Sequence, residues 1–401
     1  MSMAVHADAS AAEAGAGRYV NLDYAASTPM RPEALAAQRA YDASELAGAN
    51  PNSLHTLGRR AASRLEEARG NVARTFGAEV RPSEIVFTGG GTEANHLALL
   101  GVAEGVRERE HGRSRVIVSA IEHDSMLDNL PQLRARGFTV QTVKPCAQGY
   151  IEPAALEELM GDDVALVSIM FANNETGVMQ PVRELAQVAH AHGARFHTDA
   201  IQGWLHAPLD VGELGVDACS AAGHKVGGPA ATGVLYVRTR TPIKGQVFGG
   251  GQERGLRAGT QDLRSIVALE AAATALHPQV AEEAARLKDL SSKLYRELSA
   301  SPRIHPTMGD PESVERLPGI VSVYVDEMDS EELILKLDAR GFEVSAASAC
   351  SSGSLDPSHV LTAMGVPRDR ALGSLRISFD DRVDPEDLDR FAGALLSIVE
   401  A

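Results

Sequence analysis

Aromatic residues and positive charge are both scarce in this sequence. Aromatics make up 4% of it, and 38 Lys and Arg face 54 Asp and Glu, a formal net charge of -16. A dedicated nucleic-acid binder needs a basic face, so this balance argues against a direct nucleic-acid partner. Cysteine is scarcer still. Cys146, Cys219 and Cys350 are far apart and show no metal-type spacing. They fit no disulfide framework and no metal centre, and read as reduced thiols in a cytosol. Apolar runs long enough to cross a bilayer are missing, and no N-terminal stretch has the basic start and apolar middle of a secretory signal. The expectation is a cytoplasmic protein with no membrane partner. Residues 1–18 are small and featureless, and are expected to form a disordered tail.

What is present is enough chain for a large core. The 401 residues are 44% hydrophobic, which suits a soluble protein of two or three domains. Through the middle, short apolar runs alternate with helix-like stretches: "EIVFTGGG", "TEANHLALLGVAEGVR", "RVIVSAIEH", "SMLDNLPQLRARG", "FTVQTVKP", "DVALVSIMFANN", "VRELAQVAHAHG", "ARFHTDA", "GVLYVR". This pattern predicts an α/β fold with a mostly parallel sheet covered on both faces. After about residue 262 the pattern changes. "VAEEAARLKDLSSKLYREL" puts Val280, Ala284, Leu287, Leu290, Leu294 and Leu298 on one helical stripe. "GIVSVYVD" and "SLRISFD" read as strands, "SEELILKLDARG" as a helix capped by Ser330, and "DPEDLDRFAGALLSIVE" as a closing helix. The predicted division is a large domain over 19–262 and a smaller α+β domain over 263–401. The first residues of the large span are left free to pack on the small one.

Sites in open α/β sheets lie beyond the carboxyl ends of the strands, so the residues after each apolar run carry the information. "TGGGTEANH" leads three glycines into a helix, where Gly91 and Thr92 suit a phosphate; a plain tight turn capped by Thr92 would read the same. His123 follows the next strand. "NNETG" ends another, with Asn174 as a possible amide donor or merely part of a turn. Asp199 ends a strand among apolar residues, where a carboxylate is expensive unless paired, and Gln202 lies one helical turn on. Then comes "SAAGHK", with Lys225.

Pyridoxal 5'-phosphate needs a Schiff-base lysine, an acidic partner for its ring nitrogen and a phosphate site, and often has an imidazole stacked on its face. Lys225, Asp199, Thr92 with its glycines, and His123 supply these in strand order. Downstream, Cys350 sits in "SACSSGS" among small residues, which allows either a small buried hydrophobe or a mobile nucleophile. Arg376 in "SLRISF" can fork onto a carboxylate or serve a structural ion pair.

Together these stretches resemble the cysteine desulfurases of the IscS/NifS type, fold-type I pyridoxal-phosphate enzymes of the class V aminotransferase group. The resemblance runs from about Tyr19 to the C-terminus through "NLDYAASTP", "NPNSLHTLGR", "IVFTGGGTEANHLAL", "IEHDSML", "NNETGVMQP", "HTDAIQ", "GHKVGGP", "GGGQERGLRAGT", "SACSSGS" and "SLRISF". It implies that Lys225 is the Schiff-base lysine and that Asp199 partners the ring nitrogen. Gln202 would meet the phenolic oxygen, and His123 would stack on the ring and move protons. Gly91, Thr92 and His224 would hold the phosphate. Thr260 would reach the phosphate of a neighbouring subunit, which implies a homodimer with shared sites. Asn174 and Arg376 would contact the substrate carboxylate, and Cys350 would take up sulfur as a persulfide.

The implied activity converts L-cysteine to L-alanine and passes sulfur to an acceptor such as an iron–sulfur scaffold. The nearest alternative is a specialised donor for DNA phosphorothioation, tRNA thiolation or thio-metabolite synthesis. A selenocysteine lyase, a cysteine-independent transaminase and a non-catalytic scaffold fit less well, because Lys225, Asp199, His123 and Cys350 are all present. Two positions depart from the family pattern. Ala222 stands where a phosphate-binding serine is common. Asp380 and Asp381 follow Arg376 where a glycine is common, and are expected to alter the arginine's orientation.

Overall fold

The structure is a computed structural model, and it describes residues 19–346 and 356–401. A seven-stranded sheet dominates it. From edge to edge the strands are Ile85–Thr88, Gly233–Val237, Ala218–Ala222, Arg195–Asp199, Val164–Ser168, Arg115–Ser119 and Thr139–Val143. Gly233–Val237 runs antiparallel to both neighbours, and the remaining pairs are parallel. The central strands are buried along their whole length, as in Val164–Ser168 and Ala218–Ala222. Burial on both faces explains why these runs are apolar without alternation. The mixed α/β class with a mostly parallel sheet is thus the observed one.

A second sheet has three antiparallel strands in the order Ser374–Ser378, Ile320–Val325, Ile304–Pro306. Its core takes Leu287, Leu294, Tyr295 and Leu298 from the helix Val280–Leu298, and Phe391, Leu395 and Ile398 from Pro385–Val399. Val20 and Leu22 also belong to this second core, and Val20–Asn21 pairs in parallel with Phe342–Glu343. By contrast, the helix Leu263–Leu276, assigned by sequence to the smaller unit, packs Leu263, Ile266, Leu269 and Ala273 into the core of the large sheet.

Some local expectations shift. The helix Ser330–Asp338 is capped by Asp329, whose side chain accepts the Glu331 N–H at 2.8 Å. Ser330 is its first residue, and its hydroxyl instead donates to the Ser374 carbonyl at 2.7 Å. "SMLDNLPQLRARG" forms two short helices, Asp124–Leu127 and Leu130–Ala135. Pro131 has no N–H to continue the first and sits at the start of the second. Among the described residues no helix is long and apolar enough to cross a membrane.

Candidate active site

The carboxyl ends of the parallel strands converge on one cavity of ≈ 340 Å³. Nine of the residues singled out in the sequence line it: Gly91, Thr92, His123, Asn174, Asp199, Gln202, His224, Lys225 and Arg376. The topology accounts for this. Gly91 follows Ile85–Thr88, His123 follows Arg115–Ser119, Asn174 lies beyond Val164–Ser168, and Asp199 ends Arg195–Asp199. Lys225 closes a 3-10 turn after Ala218–Ala222.

That turn is tightly held. A Cβ on Gly223 would lie 2.2 Å from the Thr232 hydroxyl. The Lys225 carbonyl accepts from the Thr28 hydroxyl at 2.9 Å and pairs with His206 Nε2 at 2.8 Å. With the backbone fixed, Lys225 Nζ reaches across to the N-terminal segment, donating to the Ala25 and Ala26 carbonyls at 2.7 and 2.9 Å. Gln202 Nε2 donates to the same Ala25 carbonyl at 2.8 Å.

Asp199 is 4% exposed. Burial pushes its carboxyl up, while the Ile201 N–H, the Asn95 amide, His123 and Lys225 favour the ionised form. The Asn95 amide donates to Oδ2 at 2.6 Å and the Ile201 N–H to Oδ1 at 2.8 Å. Asn95 donates as well to the Ser125 hydroxyl at 2.9 Å. At His123 the Ser125 N–H donates to Nδ1 at 3.0 Å. Nδ1 is therefore an acceptor, and a neutral ring carries its proton on Nε2. His224 is held down to about 4 by burial, with Lys225 and His123 adding to the effect, so its imidazole is neutral at pH 7.

At the other end of the cavity stands Arg376, 2% exposed. Its Nη1 donates to the Asn174 backbone carbonyl and its Nη2 to Asp23 Oδ1, both at 2.9 Å. Asp380 and Asp381 do not orient it. The chain turns after the strand Ser374–Ser378, and both carboxylates engage Arg31, while Asp380 also takes Arg382 at 2.7 Å. Ala222 is buried beside the glycine cradle, its Cβ 3.1 Å from where a Cβ on Gly91 would stand.

Of the expected site residues, one lies outside this cavity and one outside the described residues. Thr260 is exposed, outside it, in the segment where Gln261 Nε2 donates to Glu253 Oε1 at 3.1 Å. Cys350 lies outside the described residues. Sequence reasoning missed Ala25 and Ala26, whose contribution is backbone, and Asn95, four residues into the helix that Gly91 opens. It also missed Glu175 and His359, which line the cavity. Burial pushes the Glu175 carboxyl up to about 7, against a hydrogen bond from Ser358 and the charge of Arg376. Among the described residues no group of three or more His, Cys, Asp or Glu could hold a metal ion.

A site with a lysine, a buried carboxylate, an imidazole, a glycine-led helix start and an arginine can carry an anionic cofactor and an amino-acid carboxylate together. The chain as a whole is similar to known proteins. The class-V aminotransferase family matches residues 20–391. The cysteine desulfurase IscS of Dictyoglomus turgidum is 37% identical over 96% of this chain and 95% of its own. A NifS-like protein of known structure superposes with a TM-score of 0.86 at 33% identity, covering 95% of this chain and 99% of that one. The structure of SspA in complex with cysteine gives a TM-score of 0.77 at 31% identity, over 91% and 99% of the two chains.

Proposed function

The chain belongs to the class-V aminotransferase family, among its cysteine desulfurases, and on that premise we propose a pyridoxal-phosphate enzyme that converts L-cysteine to L-alanine and loads the sulfur on Cys350. The observation that carries this reading is the single cavity shared by Lys225, Asp199, His123 and Arg376. The residues present fit the cofactor. Asp199 is a carboxylate buried at a cost that a protonated ring nitrogen would offset. Gly91 leaves the backbone open at the helix start, where a Cβ would meet Ile201 Cδ1 at 2.4 Å. Gly91, Thr92 and the neutral His224 would take the phosphate, Gln202 the phenolic oxygen, and Lys225 Nζ the covalent link. When bound, the cofactor supplies an electron-withdrawing ring that stabilises negative charge on the carbon beside the substrate amine.

The chain's own residues do the rest. Arg376 receives the substrate carboxylate, with the Asn174 side chain beside it, and this fixes the Cα–H bond relative to Lys225. Lys225 Nζ, as a neutral amine once released from that covalent link, takes the Cα proton. His123, with its proton on Nε2, donates and recovers a proton at the substrate sulfur side. The Cys350 thiolate attacks the substrate sulfur, the carbon–sulfur bond breaks, and the electron pair stays with the carbon that becomes alanine. Thr260 serves the phosphate of a second copy, so the functional unit is a homodimer. An acceptor protein of the iron–sulfur scaffold kind then receives the sulfur, and the cytoplasm is the compartment where such thiols stay reduced.

The test is direct. Protein loaded with pyridoxal phosphate and incubated with L-cysteine should gain one sulfur on Cys350 by intact mass, with L-alanine in the same tube. Cys350→Ala should lose both the added mass and at least about a hundredfold of the alanine rate. A variant that forms alanine at the wild-type rate would remove Cys350 from the reaction.

A further inference from the structure

The N-terminal segment reaches the site with a carboxylate that the reaction as described leaves without a task. Asp23 stands on a rigid backbone. Its N–H donates to the Asn21 side chain at 2.8 Å, and it bridges Ser378 at the end of the strand that carries Arg376. The next two residues continue the tie: the Tyr24 N–H reaches the Ser378 carbonyl at 3.2 Å and the Ala25 N–H the Ser378 hydroxyl at 2.9 Å. From this platform Asp23 Oδ1 accepts from Arg376 Nη2 at 2.9 Å.

Arg376 depends on that contact. Its guanidinium is almost fully buried and has two hydrogen-bond partners among the described residues, Asp23 and the neutral Asn174 carbonyl. Its Nε is buried with no hydrogen-bond partner among the described residues. Without Asp23, one neutral carbonyl would be its remaining hydrogen-bond partner among the described residues. Arg376 lines the cavity, whereas Asp23 does not. The carboxylate therefore grips the guanidinium from outside the space where a ligand sits. Among the described residues, one N–H on each terminal nitrogen has no acceptor, and two parallel N–H groups are what an α-carboxylate accepts.

We propose that Asp23 is a positioning residue for substrate recognition, holding the Arg376 guanidinium so that its remaining N–H groups meet the α-carboxylate of the amino acid. The inference rests on the assignment of Arg376 given above. It predicts that Asp23 matters only for ligands that carry a carboxylate. L-alanine and ethylamine differ by that one group, and neither has sulfur to transfer. Their binding to the holoenzyme is read from the visible absorption of the bound cofactor, without turnover.

Asp23→Ala should weaken L-alanine at least about tenfold, the loss expected for one charge-assisted hydrogen bond, and leave ethylamine within about twofold. Asp23→Asn keeps an acceptor oxygen for Nη2 and should recover most of the loss. With L-cysteine, KM should rise in step with the L-alanine constant, and kcat should move less. Equal weakening of both ligands would show general damage and overturn the proposal, as would Asp23→Ala binding L-alanine as wild type does. A wild-type enzyme that binds the two ligands alike would instead overturn the assignment of Arg376 itself.

Discussion

Glu122, next to His123, is fully buried. Burial pushes its carboxyl from 4.5 up to about 8; the Ser119 hydroxyl opposes this, Asp199 adds to it, and the Met170 N–H opposes it. Oε1 takes both hydrogen bonds, at 2.5 Å from Ser119 and 2.8 Å from Met170, while Oε2 has no partner among the described residues. That asymmetry suits a protonated acid. The folded protein holds this proton up to about pH 8, whereas the unfolded chain releases it near 4.5. Stability from this group is therefore complete below 4.5 and is lost as pH rises towards 8. Glu122→Gln keeps the Oε1 acceptor and removes the proton. Its unfolding free energy relative to wild type should rise between pH 5 and 8 and level off above, by on the order of a few kcal/mol in total, as read by denaturant titration at each pH. A difference that stays constant with pH would mean that Glu122 is ionised in the folded protein. At this scale the sequence was most legible where a polar residue follows an apolar strand, as at Asp199 and Lys225. It was silent where the partner is remote: Asp23 and Arg376 are 353 positions apart, and no local pattern links them.

Elements were legible where one face is buried and the ends are marked. The helix Val280–Leu298 carries the anticipated stripe, and Gly193, with φ +74, follows the helix Val182–Ala191. Ends set by tertiary contacts were not, as with Ser330. Ser358 shows how such an end serves the site. It caps His359–Ala363, its hydroxyl accepting the Leu361 N–H at 3.2 Å, and the same hydroxyl donates to Glu175 Oε2 in the cavity wall. Ser358→Ala loses a cap, typically about 1 kcal/mol, and leaves a buried carboxyl without its donor. The melting temperature should fall by about 2 °C or more by calorimetry, and Ser358→Thr should restore it. An unchanged melting temperature in the alanine variant would show that neither bond contributes.

For the whole molecule, the sheet class followed from strands buried on both faces. The segment around Val20 and Leu22 joins the second core, as its sequence left open, whereas the helix Leu263–Leu276, read with the smaller unit, joins the first; both contacts are distant in sequence. The surface carries a further whole-molecule signal. Leu54 is 88% exposed and Phe248 is 84% exposed, with Leu57 and Val247 also open. The segments that carry them are linked through the stretch around Thr260: Asn52 Nδ2 donates to Gln261 Oε1 at 3.2 Å, and the Ala258 N–H donates to the Val247 carbonyl at 3.2 Å. Large apolar side chains left in water beside the residue assigned to a neighbour's phosphate suit a face that a second copy covers. Each copy carries a net charge of -16, so association must overcome repulsion that salt screens. Phe248→Glu adds charge and removes apolar area at that face. On the proposed homodimer, wild type should elute as a dimer in 0.15 M salt and this variant as a monomer. The variant should also release pyridoxal phosphate at least about tenfold faster, since the contact proposed for Thr260 would then be missing. A monomer that retains its cofactor as firmly as the dimer would separate the two roles and place the phosphate site within a single chain.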